Sequence, residues 1–308
     1  MNMLKNKKFL IAVGILLAFF SVAVWATSAS VSWVPARYAP WSMESGQSTT
    51  TTVTFTNNGP STINGKKLAL EIRGDAASIV SVNQPSFPTT IKKGESVSVN
   101  LSVQTAPEMP IGVIDGTLVL LETEPNGTIK DIFKSTLPIE ITVSPFLLPP
   151  TTPDDEEKAT IAGTDLDENV VPDRIDRWIG FAYPQSEKRR MALTEMAKNE
   201  QKFMMDYVAD PSNKAKAREN SLLSSKTQNC QWYVFGAIGL NSLNETERLI
   251  AQDIVFRDTK KMLALMTNTK ERYNAYFSAE NYLGGMVYSD DDRTYKTDCS
   301  FDPDSLPN

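Results

Sequence analysis

The hydrophobic rhythm of this chain changes once, and that change limits what it can fold into. Up to about residue 145, apolar residues alternate with polar ones, and from Asp165 onward they recur at helical spacing. Between the two runs Pro145-Phe146-Leu147-Leu148-Pro149-Pro150-Thr151-Thr152-Pro153. Repeated prolines remove ladder donors, so no sheet continues through this stretch, which is expected to be an extended, semi-rigid linker. The expected fold class is therefore multidomain: an all-β sandwich followed by an all-α helical bundle. A chain of 308 residues has room for both cores. The expected division is a leader over 1–29, a sandwich over 30–145, a Pro- and acid-rich linker over 146–163 and a helical domain over 164–308. The acidic run Asp154-Asp155-Glu156-Glu157 is expected to be solvated linker.

Alternation is strict in Val53-Thr54-Phe55, Leu68-Ala69-Leu70-Glu71-Ile72, Val97-Ser98-Val99-Asn100-Leu101-Ser102-Val103 and Ile139-Glu140-Ile141-Thr142-Val143. Side chains of period two line opposite faces, so each strand puts one face on a core. Asn57-Asn58-Gly59-Pro60, Asn64-Gly65, Lys93-Gly94 and Pro125-Asn126-Gly127 mark turns between them. About seven short strands at this spacing predict an immunoglobulin-like sandwich. Ser45-Gly46-Gln47-Ser48 leads into Thr51-Thr52-Val53-Thr54-Phe55, and Lys93-Gly94-Glu95-Ser96 leads into Val97-Ser98-Val99. On these turn-and-strand segments, residues 30–145 resemble the bacterial Ig-like modules of secreted enzymes and adhesins. The resemblance implies a fold and no particular activity. Trp33, Tyr38 and Trp41 precede the first Gly turn. They are expected to pack over an open sandwich end, the alternative being an aromatic platform for sugar.

In the second half, Ile175, Trp178, Ile179 and Ala182 share a helix face until Pro184. Ser186 is a candidate N-cap for a longer helix ending at Asp210-Pro211. The next helix is expected from about Ser212 to near Cys230 or Phe235. Asn244-Glu245-Thr246-Glu247 reads as a capping box that opens one long helix through Tyr273 and Phe277 to Gly284-Gly285. About four helices are expected.

The chain contains no histidine. Ser-His-Asp and Cys-His catalysis are thereby excluded, as are His-ligated zinc, copper and iron sites. Carboxylate-only hydrolysis survives in principle, with Glu195, Glu200 and Asp253 as acids that would have to converge. The net charge of −6 disfavours nucleic acid as a partner.

Lys5, Lys7 and Lys8 precede an apolar run from Phe9 to Trp25, and small residues follow at Val24-Trp25-Ala26 and Thr27-Ser28-Ala29. This order predicts a secretory signal peptide and a periplasmic or secreted product, or a membrane-tethered scaffold if the segment stays uncleaved. In such a compartment the two cysteines, Cys230 and Cys299, are expected to form a disulfide that pins the polar tail.

One stretch has the spacing of a site. In Asp165-Leu166-Asp167-Glu168-Asn169-Val170-Val171-Pro172-Asp173-Arg174-Ile175-Asp176, oxygen-bearing side chains fall at relative positions 1, 3, 5, 9 and 12. A hard cation takes six to eight oxygens, and a twelve-residue loop supplies them at alternate positions. The stretch resembles the EF-hand-like and thrombospondin type-3 calcium loops, with a helix leaving its end and no matching helix entering. The resemblance implies calcium held by Asp165, Asp167 and Asn169, the Val171 carbonyl, Asp173 and Asp176. Such loops place Gly sixth, where φ is often positive, and here the sixth residue is Val170. The competing reading is an acidic helix start in which Asp173 caps the helix and the other acids are solvated. These features together predict a non-enzymatic exported protein. Its partner would be an envelope or extracellular protein or polysaccharide, and a cation would steady its helical domain.

Overall fold

A computed structural model describes residues 31–36, 39–83, 86–236, 244–283 and 295–307. The expected leader and Tyr38 lie outside the described residues. The β part comprises β1 (Val31–Val34), β2 (Ala39–Glu44), β3 (Ser48–Asn57), β4 (Ile63–Asn64), β5 (Leu68–Gly74) and β6 (Val80–Asn83). It continues with β7 (Thr90–Ile91), β8 (Ser96–Gln104), β9 (Gly112–Thr123), β10 (Ile129–Lys130) and β11 (Thr136–Ser144). The helices that follow are α1 (Asp154–Glu157), α2 (Asp173–Ala182), α3 (Glu187–Ala209), α4 (Lys214–Val234), α5 (Glu245–Met266) and α6 (Lys270–Tyr282).

The strands form a sandwich. One sheet runs β1-β3-β8-β6, and the other runs β10-β9-β11-β2 with β5 also on β9. β3 and β8 pair antiparallel from Ser48↔Gln104 to Thr56↔Ser96, so Val53, Phe55, Val97 and Val99 turn to the same inner face. Leu118, Leu120, Leu137, Ile139 and Ile141 meet them from the other sheet. Each fully buried side chain of this kind contributes about 1.5–3 kcal/mol relative to exposure. The first segment serves both sheets: β1 pairs antiparallel with β3, and β2 then pairs parallel with β11. Trp33 is core, edge-on to Phe55, and its indole N–H donates to Ser135 Oγ at 3.0 Å. Trp41 packs half-buried on the same core, so the packing reading holds for both tryptophans.

The turn residues act where expected. Gly94 and Gly127 both take φ of +81°. Asn64-Gly65 opens a short 3-10 turn between β4 and β5, and a Cβ on Gly65 would stand 1.9 Å from the Pro88 carbonyl oxygen.

The helical cores gather Val171, Ile175, Ile179, Leu193, Met196, Val255 and Met262 in one cluster, and Phe203, Met204, Tyr276 and Ala279 in another. Ser186 caps α3, accepting the Arg189 N–H, and Asn244 and Glu247 complete the reciprocal capping box of α5. The long helix expected from Asn244 is broken. Thr269 accepts the Arg272 N–H and caps a new helix, so the chain stops at Met266 and restarts at Lys270. Threonine competes for backbone donors in this way wherever a helix can pause. Cys230 and Cys299 are bonded, closing a separation of 69 residues.

The linker departs most from expectation. Asp154–Glu157 is a helical turn, and Glu157 is buried, with 4% of its surface exposed. Its carboxylate pairs with Arg272 at 3.0 Å and with Arg174. A carboxylate buried this deeply persists only when paired and hydrogen-bonded, and two guanidinium groups meet that need. Further upstream, α2 receives the proline segment. Gly180 leaves a gap into which Leu148 and Phe146 fit, and a Cβ there would lie 2.6 Å from Leu148 Cδ2. Arg177 donates to Thr142 of β11 and to the Pro149 carbonyl at 3.0 Å, and Arg190 lies 3.9 Å above the Phe146 ring. The sandwich, linker and second helix are thus stitched together at α2.

Candidate cation-binding loop

The loop is positioned from both ends. On the entering side, Arg272 is 1% exposed and closes the segment that follows α1. Its Nε donates to the Thr160 and Ile161 carbonyls at 3.1 Å each, and its Nη2 donates to the Thr160 carbonyl at 2.8 Å. Gln201 of α3 adds a bond to the Ala162 carbonyl at 2.9 Å. Gly163, at φ +85°, passes beneath the Arg272 and Glu157 side chains, where a Cβ would stand 3.2 and 3.1 Å from them. On the leaving side, Val171 and Ile175 are anchored in the helical core. The supports on the entering side were not visible in sequence, whereas Ile175 belongs to the apolar helix face that the spacing predicts. Glu157 sat in an acidic run that reads as linker, and Arg272 sat in a charged helix with nothing to distinguish it.

Between these anchors the chain folds around its own carboxylates. Asp165 accepts two backbone N–H groups, from Asn169 at 3.0 Å and from Val170 at 2.8 Å. Glu168 and Val170 take left-handed conformations, φ +57° and +80°. The sixth position therefore makes the turn that glycine usually makes, despite its β-branched side chain. Asp165, Asp167 and Asp173 each bring a carboxylate oxygen to within 4.8 Å of the others. Asp176 joins through Asn169, whose amide Nδ2 donates to Asp176 Oδ2 at 2.8 Å and to Asp167 Oδ2 at 3.0 Å. The Asn169 Oδ1 accepts the Val171 N–H at 2.7 Å. Asn169 thus places a donor, rather than an oxygen, among the carboxylates.

Asp173 separates the two readings of this stretch. Pro172 is the N-cap of α2, and no side chain caps that end. Asp173 instead turns back into the loop, where its Oδ1 accepts the Leu166 N–H at 2.9 Å. The residue is 1% exposed, and its Oδ2 finds no hydrogen-bond partner among the described residues. The neighbouring Thr152 hydroxyl eases the charge without completing a bond. Burial pushes the Asp173 carboxyl up to about 6, against the Leu166 N–H and with the charges of Asp167 and Asp165 adding to the rise. Burial likewise lifts Asp176 to about 7 and raises Asp167. Four acids drawn together and partly desolvated repel one another, and a cation relieves that repulsion.

Two of the acids considered for hydrolysis have partners of their own. Glu200, buried, accepts the Tyr276 hydroxyl at 2.9 Å. Glu195 accepts the Ser300 N–H at 3.1 Å, holding the tail near the disulfide, and Asp253 is exposed on α5.

No family model matches the chain, and no curated protein matches it. Solved structures resemble part of it weakly. A family 123 glycoside hydrolase from Clostridium perfringens is 14% identical over 35% of this chain and 23% of its own, with a TM-score of 0.24. A protein of unknown function from Porphyromonas gingivalis is 19% identical over 37% and 48%, with a TM-score of 0.26. The SrpA adhesin of Streptococcus sanguinis is 11% identical over 38% and 60%, with a TM-score of 0.26. The matched part thus spans less than two thirds of each of these proteins. Likenesses of this size carry no argument about what the chain does.

Proposed function

We propose that this is an exported, non-enzymatic binding protein whose helical domain is steadied by calcium in the 165–176 loop. The observation that supports the cation is Asp173: buried, turned away from the helix end it would otherwise cap, and with one oxygen unpartnered among the described residues, inside a carboxylate cluster. An unpaired buried carboxylate oxygen costs free energy that a bound cation repays. The donors are all oxygen, which suits a hard ion, and a loop of flexible geometry suits calcium better than the strict octahedron of magnesium. Asp165, Asp167 and Asp173 are the direct ligands in this reading. Asp176 and the Asn169 oxygen complete the set once the Asn169 amide turns over. Because α2 carries Arg177 and Gly180, an ion at its first turn steadies the seat of the linker.

The disulfide fits an oxidising compartment, and no described helix is long and apolar enough to cross a membrane. Calorimetric titration of the full chain with calcium tests the site. Saturating heat with calcium, much weaker heat with magnesium and none in Asp173→Asn are expected. Absence of heat with calcium removes the proposal.

A further inference from the structure

The two outer faces of the sandwich differ in chemistry. The outward face of the second sheet carries Glu71, Arg73, Asp115 and Glu140. The outward positions of β1, β3, β6 and β8 carry only Ser, Thr, Asn, Gln and one Val, in a chain where 22% of residues are charged. These side chains bond across the strands: Thr52 to Asn100 at 2.8 Å, Thr54 to Ser98 at 3.2 Å, and Asn83 to Ser102 at 3.0 Å. At one end the face deepens into an open cleft of about 880 Å³. Thr50, Ser102 and Ser81 form a row across its floor, in register on three adjacent strands. Ala77 and Ile79 line it from the turn before β6, and Pro107 from the loop after β8. None of the described residues lining it is charged.

We propose that this cleft binds a neutral glycan. Its volume is that of an ordinary ligand site. Hydroxyls and carboxamides both donate and accept, as sugar hydroxyls do, and the apolar walls suit the C–H edges of a sugar ring. A phosphate- or carboxylate-bearing polymer would require arginine or lysine, and the lining supplies neither. An extended peptide would add to a free strand edge, which here lies along the outer side of β6, whereas the floor of the cleft is the side-chain face of paired strands, with Ser102 flanked by Thr50 and Ser81. The proposal rests on the reading of the chain as a binding protein and is independent of the cation loop.

Affinity electrophoresis of the full chain tests it, in native gels cast with dextran, galactomannan or xylan, or with polygalacturonate as the acidic comparison. All gels contain chelator, so the result does not depend on calcium. Mobility is expressed relative to polymer-free gel, which removes the effect of added charge. Retardation by at least one neutral polymer is expected. It should weaken about tenfold in Thr50→Lys/Ser102→Lys and in Ala77→Arg, a loss of about 1.4 kcal/mol. Ala77→Arg leaves the sheet untouched and guards against misfolding of the double variant. Unchanged mobility in every neutral gel overturns the proposal, as does retardation equal in both variants or confined to polygalacturonate. A chain that binds calcium yet runs unretarded sinks this inference alone.

Discussion

Asp165 Oδ2 accepts the backbone N–H of Val170 at 2.8 Å, while Val170 stands at φ +80°. The first residue of the loop therefore holds in place the residue that departs from the loop pattern. A left-handed L-residue costs roughly 1–2 kcal/mol, and a β-branched one is less tolerant than most. Val170→Gly should relieve that cost, less the greater freedom glycine gives the unfolded chain. A gain of about 1 kcal/mol in chemical denaturation is expected. The exposed Val170 side chain leaves little packing to lose. A destabilised Val170→Gly chain would contradict the strain.

Gly180 admits Leu148 and Phe146 to the face of α2, so a bulky residue there should expel the linker. Gly180→Leu is expected to make residues 145–153 cleavable in limited proteolysis while the circular dichroism of both halves persists. Native resistance to cleavage in the variant would show that the linker is held elsewhere.

Reduction of Cys230–Cys299 opens a loop whose closure is worth about 4 kcal/mol in the chain-entropy treatment. The helical domain should lose stability on that scale and the sandwich should not, since the bridge joins α4 to the tail. Separate unfolding transitions with and without reductant would show it, and parallel loss in both would contradict it.

Glu200 lies against the Tyr276 hydroxyl, with Ser224 on α4 and Glu280 on α6 nearby, and burial raises its carboxyl to about 7. A carboxyl raised above its unfolded value favours folding when protonated. That contribution is complete below about pH 4 and lost as pH climbs through 7. Glu200→Gln mimics the protonated form, so its advantage over the parent should grow from pH 5 to pH 8, reaching about 2 kcal/mol. A difference that does not change with pH would refute the shift.

Much of this architecture was legible in sequence because it rests on local rules. Alternation in Val97–Val103 and Ile139–Val143 sets which face is buried, and Ser186 and Asn244-Glu247 cap helices through bonds within a single turn. The loop spacing was legible for the same reason, and three of its acids do converge. What was hidden depends on partners far along the chain. Glu157 is separated from Arg272 by 115 residues, and no pattern near either announces the pair. The break at Thr269 was missed because hydrophobic spacing runs on through it. The cleft over Thr50, Ser81 and Ser102 was hidden because only strand pairing brings those hydroxyls together.

The central claim is that a cation in the 165–176 loop steadies the helical domain. Thermal unfolding of the full chain in calcium, against the same chain in chelator, tests it most directly. The account predicts that calcium raises the helical transition by several degrees, leaves the sandwich transition in place, and shifts neither transition in Asp165→Ala/Asp167→Ala. Superimposable curves in calcium and chelator would contradict it.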